Sequence, residues 1–208
     1  MPRIAESRRT NRKAAILDAA ERCFVRSGFH GASMSEICAE AGMSPGNLYR
    51  YFPSKEAMIE GLCERDFAEL GAGFAELPSV PDIWAAFEAL ARFHMVDEPR
   101  ESCQLWLEIM SEVARNPQIA GLRRKIDRFI EDKLRFALET ARDRGQTDPA
   151  ADLDRAVQFL ITFADGLMLR RARDTGFDPV PHVGLMFDIL RAMLLPPSSS
   201  SPANVTTP

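Results

Sequence analysis

The chain has 208 residues, 46% of them hydrophobic and 27% charged, with a formal net charge of -4 at pH 7. That length supports a substantial core in one or two domains, and its apolar runs are too short and too broken by charge for a transmembrane helix. The amino-terminal MPRIAESRRTNRK is basic but has no apolar stretch behind it, so it does not read as a signal peptide and a cytoplasmic protein is expected.

The whole chain reads as helix, about nine in all, with no sustained strand-type alternation. The first helix is predicted over about Thr10 to Ser27, with Ile16, Leu17, Ala20 and Phe24 on its inner side and Gly28 ending it. The run SMSEICAEAGMSPGNLYRYFPSK, Ser33 to Lys55, follows. Ser33 and Glu36 have the spacing of a capping box. Gly42 stands where a helix end needs a left-handed residue. Ser44 then caps a further helix, with Pro45 in its first turn. Pro53 cannot continue that helix, which is therefore about two turns long. Two helices joined by a short glycine turn make a helix-turn-helix, whose second helix enters the DNA major groove. Gly46 would permit close backbone approach. Asn47 and Arg50 can read base edges or phosphate, and Tyr49 and Tyr51 can reach phosphate or a thymine methyl. Lys55, at the mouth of the next helix, is placed to hold a phosphate. Ser33, Met34, Ser44 and Pro45 complete the candidate DNA-binding set.

The charge distribution agrees. To residue 55 there are nine basic and five acidic side chains, a net +4, which leaves -8 for the rest. A basic head on an acidic body suits a nucleic-acid-binding module attached to something that does not bind nucleic acid.

The fourth helix is predicted from near Ser54 past Phe67 toward Leu77, linking head to body, and Pro78 and Pro81 break the chain after it. Asp82 caps a fifth helix, Ile83 to about Met95. A sixth covers about Ser102 to Arg115 and a seventh about Ile119 to Arg144. Asp148-Pro149 begins the eighth, which runs to Asp174, and the ninth spans about His182 to Leu195. Residues 196–208 are rich in Pro, Ser and Thr, carry no charge, and are expected to be disordered. The division is thus a head, 1–55, a helical body, 56–195, and a tail, 196–208.

The four cysteines, at 23, 38, 63 and 103, lack metal-site spacing. Cys23 and Cys38 read as small core residues, and no basic setting favours a redox role for Cys63 or Cys103. No cofactor and no metal is expected. There is no phosphate loop, no HExxH, and no nucleophile beside a credible base, so an enzyme has little support. A non-catalytic helical protein-interaction module is the alternative that composition allows.

The stretch Ile16 to Ile59 resembles the DNA-binding domain of the TetR family of bacterial transcriptional repressors. The ILDAAERCF helix and the run AGMSPGNLYRYFPSKE carry the resemblance in register, with Tyr51 a departure where many relatives have His. LWLEIMSEVARNP and FADGLMLRR are similar to the C-terminal region of a subgroup that includes choline-responsive BetI repressors and regulators of catabolism or efflux. The resemblance implies an all-α protein that binds a near-palindromic double-stranded operator as a homodimer and is released by a small-molecule inducer, the fourth helix being the lever.

It also implies a four-helix dimer interface from the last two helices of each subunit, for which Leu160, Ala164, Leu167, Met186 and Leu190 are candidates. That these faces are instead buried within one subunit stays open. The body's aromatic and Met side chains imply a ligand pocket, with Trp84, Phe87, Trp106, Met110, Phe129 and Phe163 as candidate neighbours. His94 and Asp165 are the polar groups placed to orient a ligand. A cation in an aromatic cage with Glu108 or Asp165, and a large apolar inducer, are both compatible.

Overall fold

A computed structural model describes residues 2–76 and 80–195. The expected fourth-helix end at Leu77, the break at Pro78 and the disorder of the tail at 196–208 lie outside the described residues. Within them the chain is all helix, and no helix is long and apolar enough to cross a membrane.

Helix α1, Pro2–Gly31, is interrupted at Gly28, whose φ of 72° and ψ of 162° lie in a region that essentially only glycine tolerates. Helix α2, Met34–Glu40, begins on the expected capping box: Ser33 Oγ accepts from the Glu36 N–H at 3.1 Å, and Glu36 Oε2 accepts from the Ser33 N–H at 2.7 Å. Gly42 takes the left-handed conformation, φ 60°. Helix α3, Pro45–Leu48, is shorter than expected, although turn hydrogen bonds continue to Phe52. Ser44 occupies its cap position without a side-chain cap bond.

Helix α4, Lys55–Glu76, leads into the body. Helix α5, Ile83–Arg92, is capped by Asp82 and runs into a π-helical turn, Phe93–Asp97, which periodicity did not reveal. Helices α6, Arg100–Val113, and α7, Pro117–Asp143, follow. Helix α8, Leu153–Arg173, starts at its Asp152 cap, not at Asp148-Pro149, which form a turn. Helix α9, Val180–Leu194, begins two residues earlier than expected.

Two apolar cores result. One joins Ile16, Phe24, Ile37 and Leu48 of the head to Leu62 of α4, Leu105 and Ile109 of α6 and Ile126 of α7. The other packs α5, α7, α8 and α9 around Phe87, Leu138, Val157 and Phe187. The head is therefore not a free module; its core continues into α6 and α7. All four cysteines are buried. Burial pushes the Cys63 thiol up to about 12 and also raises Cys23 and Cys103, which suits inert core residues.

Candidate nucleic-acid interface and ligand cavity

The helix-turn-helix presents a contiguous exposed row: Ser44, Pro45, Gly46, Tyr49 and Arg50. Tyr49 is 51% exposed, which is unusual for a large aromatic side chain and fits an outward contact. Nothing lies within 4 Å of where a Gly46 Cβ would stand, so packing within the chain does not require glycine there. Asn47 is half-buried beside this row. Arg8, Arg9, Arg12 and Lys13 of α1 are exposed as well, whereas Arg22 and Arg26 are held by Glu40, at 2.7 and 3.4 Å. The Arg22 contact keeps the Glu40 carboxyl below its usual range.

Three candidates are placed otherwise. Met34 and Tyr51 pack against the head core, so only parts of them face out. Lys55 turns inward: its Nζ donates to Phe29 O at 2.6 Å, Ala32 O at 2.7 Å and His30 O at 3.4 Å, and stands 4.7 Å from the Phe29 ring centroid. An ammonium has three donors, and all three are used on carbonyls at the end of α1. The expectation that Lys55 holds a phosphate is revised: it is a cation capping a helix C-terminus, where the macrodipole favours one.

A second feature lies between α4, α5, the π-helical turn, α6, α7, α8 and α9, with Asp18 and Glu21 of α1 at one side. It is a cavity of about 600 Å3, within the size range of small-molecule sites. Of the expected ligand neighbours, Phe87, His94 and Trp106 line it, as does Asp165. Trp84, Met110, Phe129 and Phe163 do not. Trp84 Nε1 donates to Gln146 O at 3.3 Å, Met110 packs on the head core, Phe129 lies tilted against Phe67 with ring centroids 4.3 Å apart, and the Phe163 ring centroid lies 5.5 Å from that of Phe159. Their helices carry apolar side chains on more than one face, and these four residues lie off the cavity lining.

Phe74, Met95, Met168 and Phe187 line the cavity unforeseen, together with Arg65, Asp66 and Arg123. Apolar spacing carries no signal for the last three. His94 Nδ1 lies 3.1 Å from Glu98 Oε1, and this contact holds the Glu98 carboxyl low. Burial pushes Asp66 up to about 6 and also raises Asp165.

The expected dimer residues are corrected too. Leu160, Leu167, Met186 and Leu190 are buried within the subunit, and Leu160, Ala164 and Met186 line the cavity. The large apolar side chains that α8 and α9 leave exposed are Leu169, Val180 and Leu185, at 41%, 42% and 49%.

Head and cavity share walls. Helix α6 lines the cavity through Ser102, Leu105, Trp106 and Ile109, and from another face, through Glu108 and Glu112, it grips the head. The Phe29 N–H donates to Glu108 Oε2 at 2.8 Å, and His30 Nε2 lies 2.9 Å from Glu112 Oε1. Helix α4 does likewise: Arg65, on the cavity wall, reaches Asp18 at 2.9 Å and Glu21 at 2.7 Å on α1.

Comparison with known proteins agrees with this arrangement. Residues 16–62 match the family described as bacterial regulatory proteins, tetR family, and residues 85–195 match the BetI-type transcriptional repressor C-terminal family. The chain is 29% identical over 157 residues to the HTH-type transcriptional regulator UidR of Escherichia coli (strain K12), across 75% of this chain and 79% of that one. Salmonella enterica GusR superposes with a TM-score of 0.75 at 28% identity, covering 88% of this chain and 95% of its own. A transcriptional regulator from Saccharomonospora viridis, solved in complex with choline, has the same fold, with a TM-score of 0.76 at 20% identity over 90% of this chain and all of its own.

Proposed function

Because the chain belongs to the TetR family of bacterial DNA-binding transcriptional regulators, we propose that it is a homodimeric, ligand-responsive repressor of a near-palindromic operator. Residues 1–55 form its DNA-binding head and residues 56–195 its ligand-binding and dimerisation body. The observation that carries this reading is the shared wall. Helices α4 and α6 each line the cavity and each hold α1, so a molecule that reshapes the cavity reshapes the support of the head.

The exposed row Ser44, Pro45, Gly46, Tyr49 and Arg50 enters the major groove, and Asn47 follows at its edge. Arg8, Arg9, Arg12 and Lys13 take phosphates and fix the register. The dimer forms on the outer ridge of α8 and α9, through Phe163, Gly166, Leu169 and Leu185, and the two-fold axis sets the spacing of the half-sites. The choline held by the Saccharomonospora viridis protein, and the BetI-type match over 85–195, support a small-molecule occupant for the cavity. An effector that binds better to the form whose heads are wrongly spaced releases the operator.

Selection of duplexes from a random pool tests the reading. A near-palindrome with half-sites about one helical turn apart is the expected product. Recovery of no consensus, or of a single unrepeated half-site, would overturn it.

A further inference from the structure

We infer that the cavity takes an amphipathic organic cation, whose charge is received by Asp66 and Asp165 and whose apolar body lies against Phe87, Trp106 and Phe187. This rests on the cavity being the effector site and adds the chemical class of the effector.

The charge balance of the wall is the first ground. Seven carboxylates line the cavity against two guanidiniums and one imidazole. Each cationic side chain already has a partner. Arg65 is divided between Asp18 and Glu21, Arg123 Nε lies 2.6 Å from Asp127 Oδ1, and His94 faces Glu98. An anionic ligand would find no guanidinium to itself and carboxylates on every side.

The carboxylates are less well served. The Asp165 carboxylate has no hydrogen bond and no ion pair within 4 Å among the described residues; the cation that acts on it, Arg123, is held by Asp127. Asp66 is approached by Arg65 Nε at 3.7 Å, while the shorter bonds of that guanidinium go to α1. Both carboxyls are held in a setting that disfavours their charge, a cost that an arriving cation offsets.

The rest of the wall suits the rest of such a molecule. Trp106, Phe87 and Phe187 offer aromatic faces, to which organic cations are drawn. A volume of about 600 Å3 fits a drug-sized ligand; a small ammonium ion would leave most of the apolar wall wet.

The test is fluorescence polarisation with the full-length protein and three dyes: rhodamine 6G, a cation; fluorescein, an anion on the same xanthene frame; and Nile red, which is neutral. Rhodamine 6G is expected to bind about tenfold or more tighter than fluorescein, as one uncompensated charge contact implies. Asp165→Asn and Asp66→Asn are each expected to weaken rhodamine 6G several-fold and to leave Nile red unchanged. Fluorescein binding as tightly as rhodamine 6G, or both variants binding rhodamine 6G like the wild type, would overturn the inference. Nile red binding without rhodamine 6G would reject the cation and keep the effector site. Binding of none of the three would reject both.

Discussion

The backbone N–H of Phe29 donates to the carboxylate of Glu108 at 2.8 Å, across 79 residues of sequence. Phe29 is buried, and its N–H follows directly on the break at Gly28. Glu108 therefore completes the end of α1 from the body, two residues beyond the cavity residue Trp106 and on another face of α6. Removing it leaves a buried donor unpaired, at a cost of about 1–3 kcal/mol. Glu108→Ala is expected to lower the melting temperature and to reduce the ratio of operator affinities without and with effector, while effector binding persists. Thermal melts and gel-shift titrations read the two effects.

Gly28 tests the same junction from the other side. Its backbone conformation excludes a side chain, and a Cβ there would stand 3.4 Å from Glu108 Oε2. Gly28→Ala is expected to destabilise the protein by about 1–3 kcal/mol, seen as a lower urea midpoint with an unchanged slope.

Lys55 separates a structural cation from a phosphate contact. Its three bonds to α1 carbonyls make it a cap, so Lys55→Met should cost about 2 kcal/mol of stability. The salt dependence of operator binding should then keep its slope, whereas loss of a true phosphate contact lowers that slope by about 1. Lys55→Arg should not restore stability, because a planar fork cannot converge on three carbonyls as an ammonium does.

Tyr49 is expected to behave oppositely. It is half exposed and supports no core contact, so Tyr49→Ala should leave the melting temperature within about 0.5 kcal/mol of wild type while weakening operator binding at least tenfold. Circular dichroism melts and gel shifts decide it.

Asp66 predicts a pH dependence. Arg65 and Glu69 on its own helix, Glu21 on α1 and Glu98 beside the π-helical turn face it, and burial raises it to about 6 from an ordinary 3.8. A raised carboxyl is held more tightly protonated in the folded state, so its contribution to stability falls as pH rises from about 4 to about 6. Asp66→Asn should therefore raise the melting temperature at pH 7, and that gain should vanish below pH 4. For the same reason the affinity for rhodamine 6G should fall as pH drops from 7.5 to 5, and the drop should shrink in Asp66→Asn.

Much of the head was legible in the chain because its determinants are local. The Ser33–Glu36 box spans three residues, and the turn needs only Gly42 at φ 60°. The inward turn of Lys55 was not legible, since its acceptors lie 23 to 26 residues away and depend on how α4 docks on α1. In the body, periodicity identified apolar helices without saying which neighbour each face would meet. Trp106 and Phe87 fell on the cavity, Phe129 fell on Phe67, and Leu190 fell in the core rather than on an outer ridge. Of the cavity's aspartates, Asp165 was named from the sequence, but Asp66 carries no periodic signal, and only the folded arrangement brings both onto the lining of one cavity.

The central claim is that the row from Ser44 to Arg50 reads duplex DNA. A gel shift on the DNA immediately upstream of the coding region, comparing wild type with a Tyr49→Ala, Arg50→Ala double variant of unchanged melting temperature, tests it most directly. The account predicts a discrete wild-type complex that survives competitor DNA and weakens steeply with salt, and its loss in the double variant. Equal binding by the two proteins would contradict it, as would a wild-type protein that binds no duplex.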